Sequence, residues 1–283
     1  MAAGAAFTSG GKPFRQETAM AIIENVSLNG IRMSFARFGE GEKVFVILPG
    51  LSTVKITPNA RAVERQYSAI AKTHTVYLFD RRDDMPTGYT NHAMAEDTAA
   101  VMKHLGIEKA CLYGVSQGGM IALDMAINHP ELVSELIMCV SCAYINESLG
   151  KCLGIWRSAA EAGDSLALNT VFAESLFTKR MLDKVGKALI SAMPKYSEET
   201  LRQFIIAIDS INGYDLRSEL KRLSCPVYVI GAENDTVMGP ASAEELAGAL
   251  NCKWFVYPEY GHGVYDEAPD FVKRLRDVLR EIE

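Results

Sequence analysis

Residues 111–120 read "CLYGVSQGGM", with one serine, Ser116, set among glycines at 114, 118 and 119 where an apolar run stops. Glycine weakens a strand or helix by roughly 0.5–1 kcal/mol relative to alanine. Three glycines around one hydroxyl therefore mark a place that does not tolerate Cβ atoms. Residues 110–115 read as a buried strand and 118–128 as a helix, which puts Ser116 at the turn between them. In so sharp a turn, Cβ atoms two positions before and after the serine collide with neighbouring backbone, and Gly114 and Gly118 remove them. The hydroxyl then stands clear of the strand ends. The N–H of Gln117, at the start of the new helix, points toward any negative charge that develops there. Gly119 lets the helix pack close. The bland alternative is a glycine-flanked loop serine.

Working outward, short runs rich in Val, Ile, Phe and Tyr recur at 44–48, 75–79, 136–140, 227–230 and 254–257. They are apolar at nearly every position, as strands buried on both faces are, which predicts a mostly parallel sheet. Amphipathic stretches at 59–71, 93–105, 118–128 and 241–250 fit helices flanking that sheet. The runs 21–28 and 31–38 are joined by Asn29-Gly30, a tight-turn dipeptide, so they are expected to form a leading antiparallel hairpin. From about 143 to 223 the alternation breaks and helical spacing takes over, as at Leu201, Phe204, Ile205, Ile208 and Ile211. The fold class is thus α/β, with a helical insertion. The expected division is a loose tail at 1–19, a core built from 20–143 and 224–283, and a helical cap or lid at 144–223. The chain closes with a helix-like stretch at 268–282.

The chain has 283 residues, 48% hydrophobic and 23% charged, which places it among globular rather than disordered proteins. Its net charge of −6 gives no general electrostatic case for nucleic acid or an anionic membrane surface, and small-molecule partners fit better. No stretch has the roughly 18–20 uncharged apolar residues of a membrane helix. The start, "MAAGAAFTSGGKPFRQ", lacks the basic and apolar regions of a secretory signal. Six scattered cysteines show no two pairs at metal-ligand spacing and read as reduced thiols in a cytoplasmic protein. Monomer and homodimer are both left open.

A serine hydroxyl is a weak nucleophile at neutral pH and needs a base within reach, itself oriented by an acid. Both types occur downstream, just past predicted strands. "VIGAENDTVMG" carries Asp235 and "YPEYGHGVYDE" carries His262. His262 alone of the five histidines has glycine on both sides in a post-strand loop; the others fall at helix ends or turns, where capping or solvent is the commoner role. Glu233 and Asp266 are rival acids. Asp235 suits the turn better, and Asp266 follows the histidine too closely. A second N–H donor for an oxyanion is expected from "ILPGLSTVK", where Gly50 permits close approach and Leu51 supplies the N–H. Ser52 is read as a turn residue with an optional side-chain contact.

Taken in order, "LPGLS", "FDRRDD", "GVSQGG", the helical insertion, "GAENDTV" and "YGHGV" resemble the α/β-hydrolase superfamily, and in particular its lid-bearing serine hydrolases, over residues 20–283. The resemblance implies Ser116, Asp235 and His262 as catalytic residues, Leu51 and Gln117 as oxyanion donors, and no metal or organic cofactor. Two stretches depart from the family pattern. Pro49-Gly50 replaces the frequent His-Gly, and "DRRDDMPTGYT" replaces a glycine-rich Asp-x-Arg-Gly-x-Gly-x-Ser turn, leaving Asp80 with Arg81 or Arg82 to brace the loop. The expected reaction is hydrolysis of a carboxylic ester, thioester or similar acyl bond of a small, largely apolar molecule. The same three residues also serve carbon–carbon bond hydrolases, lyases and acyltransferases, and a ligand-binding receptor on this scaffold is a further alternative. Trp156, Phe172, Phe177, Met181, Phe204 and Tyr214 are candidates for an apolar pocket wall, against the commoner role of insertion core.

Overall fold

The computed structural model describes residues 20–282. The tail expected at 1–19 lies outside them. Strand β1 (Ile22–Leu28) turns through Asn29 and Gly30, both at positive φ (49° and 81°), into β2 (Ile31–Phe38). Two left-handed residues are what a two-residue turn needs to match strand twist. The chain continues through β3 (Lys43–Leu48), α1 (Ala60–Gln66), β4 (His74–Arg82), α2 (Asn91–His104), β5 (Ala110–Val115), α3 (Gln117–Asn128) and β6 (Val133–Cys139). Helices α4 (Glu147–Glu161), α5 (Ser165–Leu176), α6 (Lys179–Met181), α7 (Lys187–Ala192) and α8 (Glu198–Asp209) follow, with a π-helical turn at Leu182–Gly186. Then come β7 (Val227–Ala232), α9 (Ser242–Leu250), β8 (Lys253–Tyr257), α10 (Val264–Glu267) and α11 (Phe271–Ile282).

The eight strands form one sheet in the order β1-β2-β4-β3-β5-β6-β7-β8. Pairings from β4 to β8 are parallel, and β2 runs antiparallel to both its neighbours. Both faces of the central strands are covered, as the continuous apolar runs require, but β8, expected to be buried on both faces, is an edge strand with Lys253 and Trp254 exposed. Val46, Leu48 and Leu112 join the apolar layer under α2, α3, α9 and the insertion, while Phe45, Ile47, Cys111 and Tyr113 join the layer under α1, α10 and α11.

Differences from the sequence expectations are local. The helix expected over 59–71 stops at Gln66, and three-residue turns then carry Tyr67 and Ile70 inward (Ile70 N–H to Tyr67 O, 2.9 Å). Strand β4 runs three residues past 79 because β2 stays paired with it as far as Met33 and Arg82, across a bulge. The closing helix expected over 268–282 starts only at Phe271, because Pro269 forces Ala268 into an extended conformation (φ −80°, ψ 118°) between the short α10 and α11. Val140, expected to end a strand, has φ 43° and leaves the sheet. A β-branched residue there is strained, by about 1–3 kcal/mol.

Candidate active site

Ser116 occupies the turn between β5 and α3 at φ 54°, ψ −123°, a conformation L-residues rarely adopt. The glycines around it are sterically required. A Cβ at Gly114 would sit 2.4 Å from Gly118 O, and one at Gly118 would sit 2.0 Å from Leu48 O. At Gly119 it would meet Ser141 Oγ at 2.5 Å. Two further bonds hold the turn: Ser116 N–H donates to Cys139 O (2.9 Å) and Ser141 Oγ donates to Ser116 O (2.8 Å). The left-handed Val140 directs the chain so that Ser141 reaches this carbonyl. Sequence reasoning missed Ser141, since nothing in "CVSCAY" distinguishes it from a loop serine.

The structure brings Ser116, His262 and Asp235 into one buried series. Ser116 Oγ lies 3.0 Å from His262 Nε2, and His262 Nδ1 lies 2.9 and 3.0 Å from the two carboxylate oxygens of Asp235. All three side chains are buried, His262 being only 1% exposed. A carboxylate can only accept, so Nδ1 carries the proton and Nε2 is left to accept from the serine hydroxyl. Asp235 is itself anchored, its Oδ1 accepting from Val237 and Met238 N–H at 2.9 Å each. Its rivals do not reach the imidazole. Glu233 Oε2 accepts from Glu259 N–H (3.1 Å), bracing the loop between β8 and the histidine. Asp266 sits at the start of α10 with no bond to His262. Glu233→Ala is therefore expected to retain labelling of Ser116 by a fluorophosphonate probe; its loss would reassign the acid.

Gly50 lies against the serine, a Cβ there falling 3.1 Å from Ser116 Cβ, and Leu51 follows it on the wall of the same cavity. Gln117 is the first residue of α3, so its N–H has no acceptor within the helix. Ser52 forms a local turn, its hydroxyl donating to Val54 O (2.9 Å). The stretch that departs from the glycine-rich pattern is an ordered brace. Buried Asp80 accepts from Ile56 N–H (2.6 Å), Thr57 N–H and Thr57 Oγ1, while burial still raises its pKa. Arg81 bonds the loop carrying Gly50. Arg82 pairs with Asp97 (3.1 Å), and Lys55 with Asp83.

Ser116 and His262 open onto a cavity of about 270 Å³. The insertion contributes an aromatic wall: Trp156 packs on Phe172 (ring centroids 4.8 Å apart), which meets Phe204 edge-on (5.9 Å). Phe177, Met181 and Tyr214 do not line it. Tyr214 points its hydroxyl at Met120 O and Cys142 O, and Phe177 packs over Gly263. All six cysteines are free thiols, and burial pushes Cys142 up to about 12, so it is not poised as a thiolate. No described helix is long and apolar enough to cross a membrane.

This fold, with a serine at a strained strand-to-helix turn and a buried histidine and carboxylate behind it, is that of the α/β hydrolases. The chain matches the profile of the Alpha/beta hydrolase family over residues 45–275 and belongs to that family. It is 27% identical over 207 residues to the uncharacterized hydrolase YugF of Bacillus subtilis, covering 68% of this chain and 73% of that protein. Against 3-oxoadipate enol-lactonase 2 of Acinetobacter baylyi it is 21% identical over 231 residues, 79% of this chain and 83% of the relative. Among solved structures, MGS-M2, an alpha/beta hydrolase enzyme from a deep-sea metagenome library, superposes with a TM-score of 0.81 at 20% identity, covering 92% of this chain and 98% of its own.

Proposed function

We propose that the protein is a serine hydrolase that cleaves a carboxylic ester, thioester or similar acyl bond of a small, largely apolar molecule through an acyl-Ser116 intermediate. The observation that carries this reading is the unbroken series from Ser116 Oγ through His262 to Asp235, opening on a cavity. His262 Nε2 takes the proton as Ser116 Oγ attacks the carbonyl carbon, then returns it to the leaving oxygen or sulfur. Asp235 holds the imidazole in the productive tautomer and stabilises the imidazolium. The N–H groups of Leu51 and Gln117 stabilise the tetrahedral oxyanion. A water activated by His262 then attacks the acyl carbon, and the serine leaves with the returned proton. In this reading 144–223 acts as a cap over a core formed by 20–143 and 224–283.

Small substrates fit the cavity, which falls just short of the roughly 300–1,000 Å³ usual for drug-sized ligands. The lactone named for the Acinetobacter relative is a cyclic ester and falls within the same bond class. The test is stoichiometric labelling by a fluorophosphonate, present in the wild type and absent in Ser116→Ala. Turnover on p-nitrophenyl esters of rising acyl length should then peak at short to intermediate chains. Trp156→Ala, which removes part of the aromatic wall, should move that peak to longer ones. Labelling without cleavage of any ester or thioester would favour the carbon–carbon, lyase or receptor alternatives.

A further inference from the structure

We propose that Arg81 is a positioning residue that sets both oxyanion donors at once. Its Nη1 donates to Gly50 O (3.0 Å), and its Nη2 donates to Pro49 O (3.3 Å) and to Gln117 Oε1 (2.6 Å). Gly50 O and the Leu51 N–H belong to one peptide unit. In a trans peptide the two point in opposite directions, so a guanidinium bonded to the oxygen aims the N–H away from itself. Gly50 lies against Ser116 and Leu51 lines the cavity, so the N–H faces the reacting centre. The positive charge also polarises the amide and strengthens the donor.

The same guanidinium holds Gln117, the other donor residue. With Oε1 taken by Arg81, the Gln117 amide must turn Nε2 the other way, where it donates to Ala207 O (3.1 Å) and Ser210 Oγ (3.0 Å) at the end of α8. Gln117 is thereby clamped between the core and the insertion, at the first turn of the helix that carries its N–H. Burial lowers the pKa of Arg81 to about 10, which leaves it charged at neutral pH. A planar fork can bond two carbonyls and an amide together; an ammonium cannot reproduce that geometry.

The inference rests on the serine-hydrolase reading, and the experiment separates the two. The endpoint of fluorophosphonate labelling counts intact sites, and kcat per site, KM and the Ki of a boronic acid are measured on an activated ester. Arg81→Met should lower kcat per site by about 100-fold through misplaced donors, with KM little changed. Because a boronate adduct mimics the tetrahedral oxyanion, its Ki should weaken in parallel. Arg81→Lys should lose about tenfold, keeping the charge and one bond. Should Arg81→Met not fold, Arg81→Lys decides alone. Per-site kcat and boronate Ki equal to wild type in the variants that fold would overturn the role of Arg81 while leaving the hydrolase intact, as would a loss confined to the number of labelled sites. A wild type that neither labels nor turns over any ester would sink both.

Discussion

Ser116→Ala and His262→Ala are each expected to lower kcat by about 10⁵–10⁶-fold, and the double variant by little more, because groups acting as one unit are not additive. In the proposed mechanism no acyl-enzyme forms without the hydroxyl. Without the imidazole the hydroxyl stays protonated. Asp235→Asn should cost about 10⁴-fold, since an amide facing Nδ1 favours the wrong tautomer. The single-turnover rate of an activated ester separates these losses from changes in binding. The fold should survive: alanine at 116 keeps the same Cβ and backbone strain, and loses only the bond to His262, at about 1–3 kcal/mol for leaving Nε2 unpartnered. Ser116→Gly makes a sharper comparison. Glycine accepts φ 54°, ψ −123° without strain, so this variant should be as inactive as Ser116→Ala yet more stable by about 1 kcal/mol in urea unfolding. Equal stabilities would mean that the turn at Ser116 stores no strain.

How far the site could be read beforehand follows from where its information resides. Ser116, Asp235 and His262 each stand just after a strand that is apolar at nearly every position, so a map of buried strands places all three at the same end of the sheet. The flanking glycines mark 116 and 262, and the Asp235 turn is local, closed by N–H groups two and three residues on. What escaped notice, or stayed undecided between Arg81 and Arg82, depends on contacts between distant segments. Ser141 matters through a bond to a residue 25 positions earlier, and Arg81 through bonds that reach Gln117 and Gly50. As apolar aromatics of the insertion, Trp156, Phe172, Phe204 and Tyr214 are alike candidates to face inward. Whether inward means cavity or core is settled only by how α4, α5 and α8 pack, so Tyr214 falls one way and Phe204 the other. Helix ends were the other weak point. Gln66 carries no stop signal, and the chain leaves α1 because Tyr67 and Ile70 both find burial in a tighter turn.

Gly118→Ala is expected to destabilise the protein by about 3 kcal/mol or more, at or beyond the upper end of ordinary overpacking. One methyl group has so large an effect because of what it meets. The new Cβ would lie 2.0 Å from Leu48 O, 2.5 Å from Leu48 C and 2.6 Å from Pro49 O, all backbone atoms, with no flexible side-chain end to swing aside. Either α3 lifts from the sheet or the end of β3 moves, and that segment leads directly into Gly50 and Leu51. Any protein that still folds should therefore also lose about 100-fold in kcat, from a displacement near 1 Å at the proposed oxyanion loop. The same substitution at Gly154 supplies the control. That glycine lies inside α4, is exposed, and would place its Cβ with nothing within 4 Å, so Gly154→Ala should stabilise by about 0.4–1 kcal/mol. Thermal and urea unfolding of the two variants should shift in opposite directions. A Gly118→Ala protein as stable and active as wild type would mean that α3 does not press against β3 as closely as its backbone contacts require.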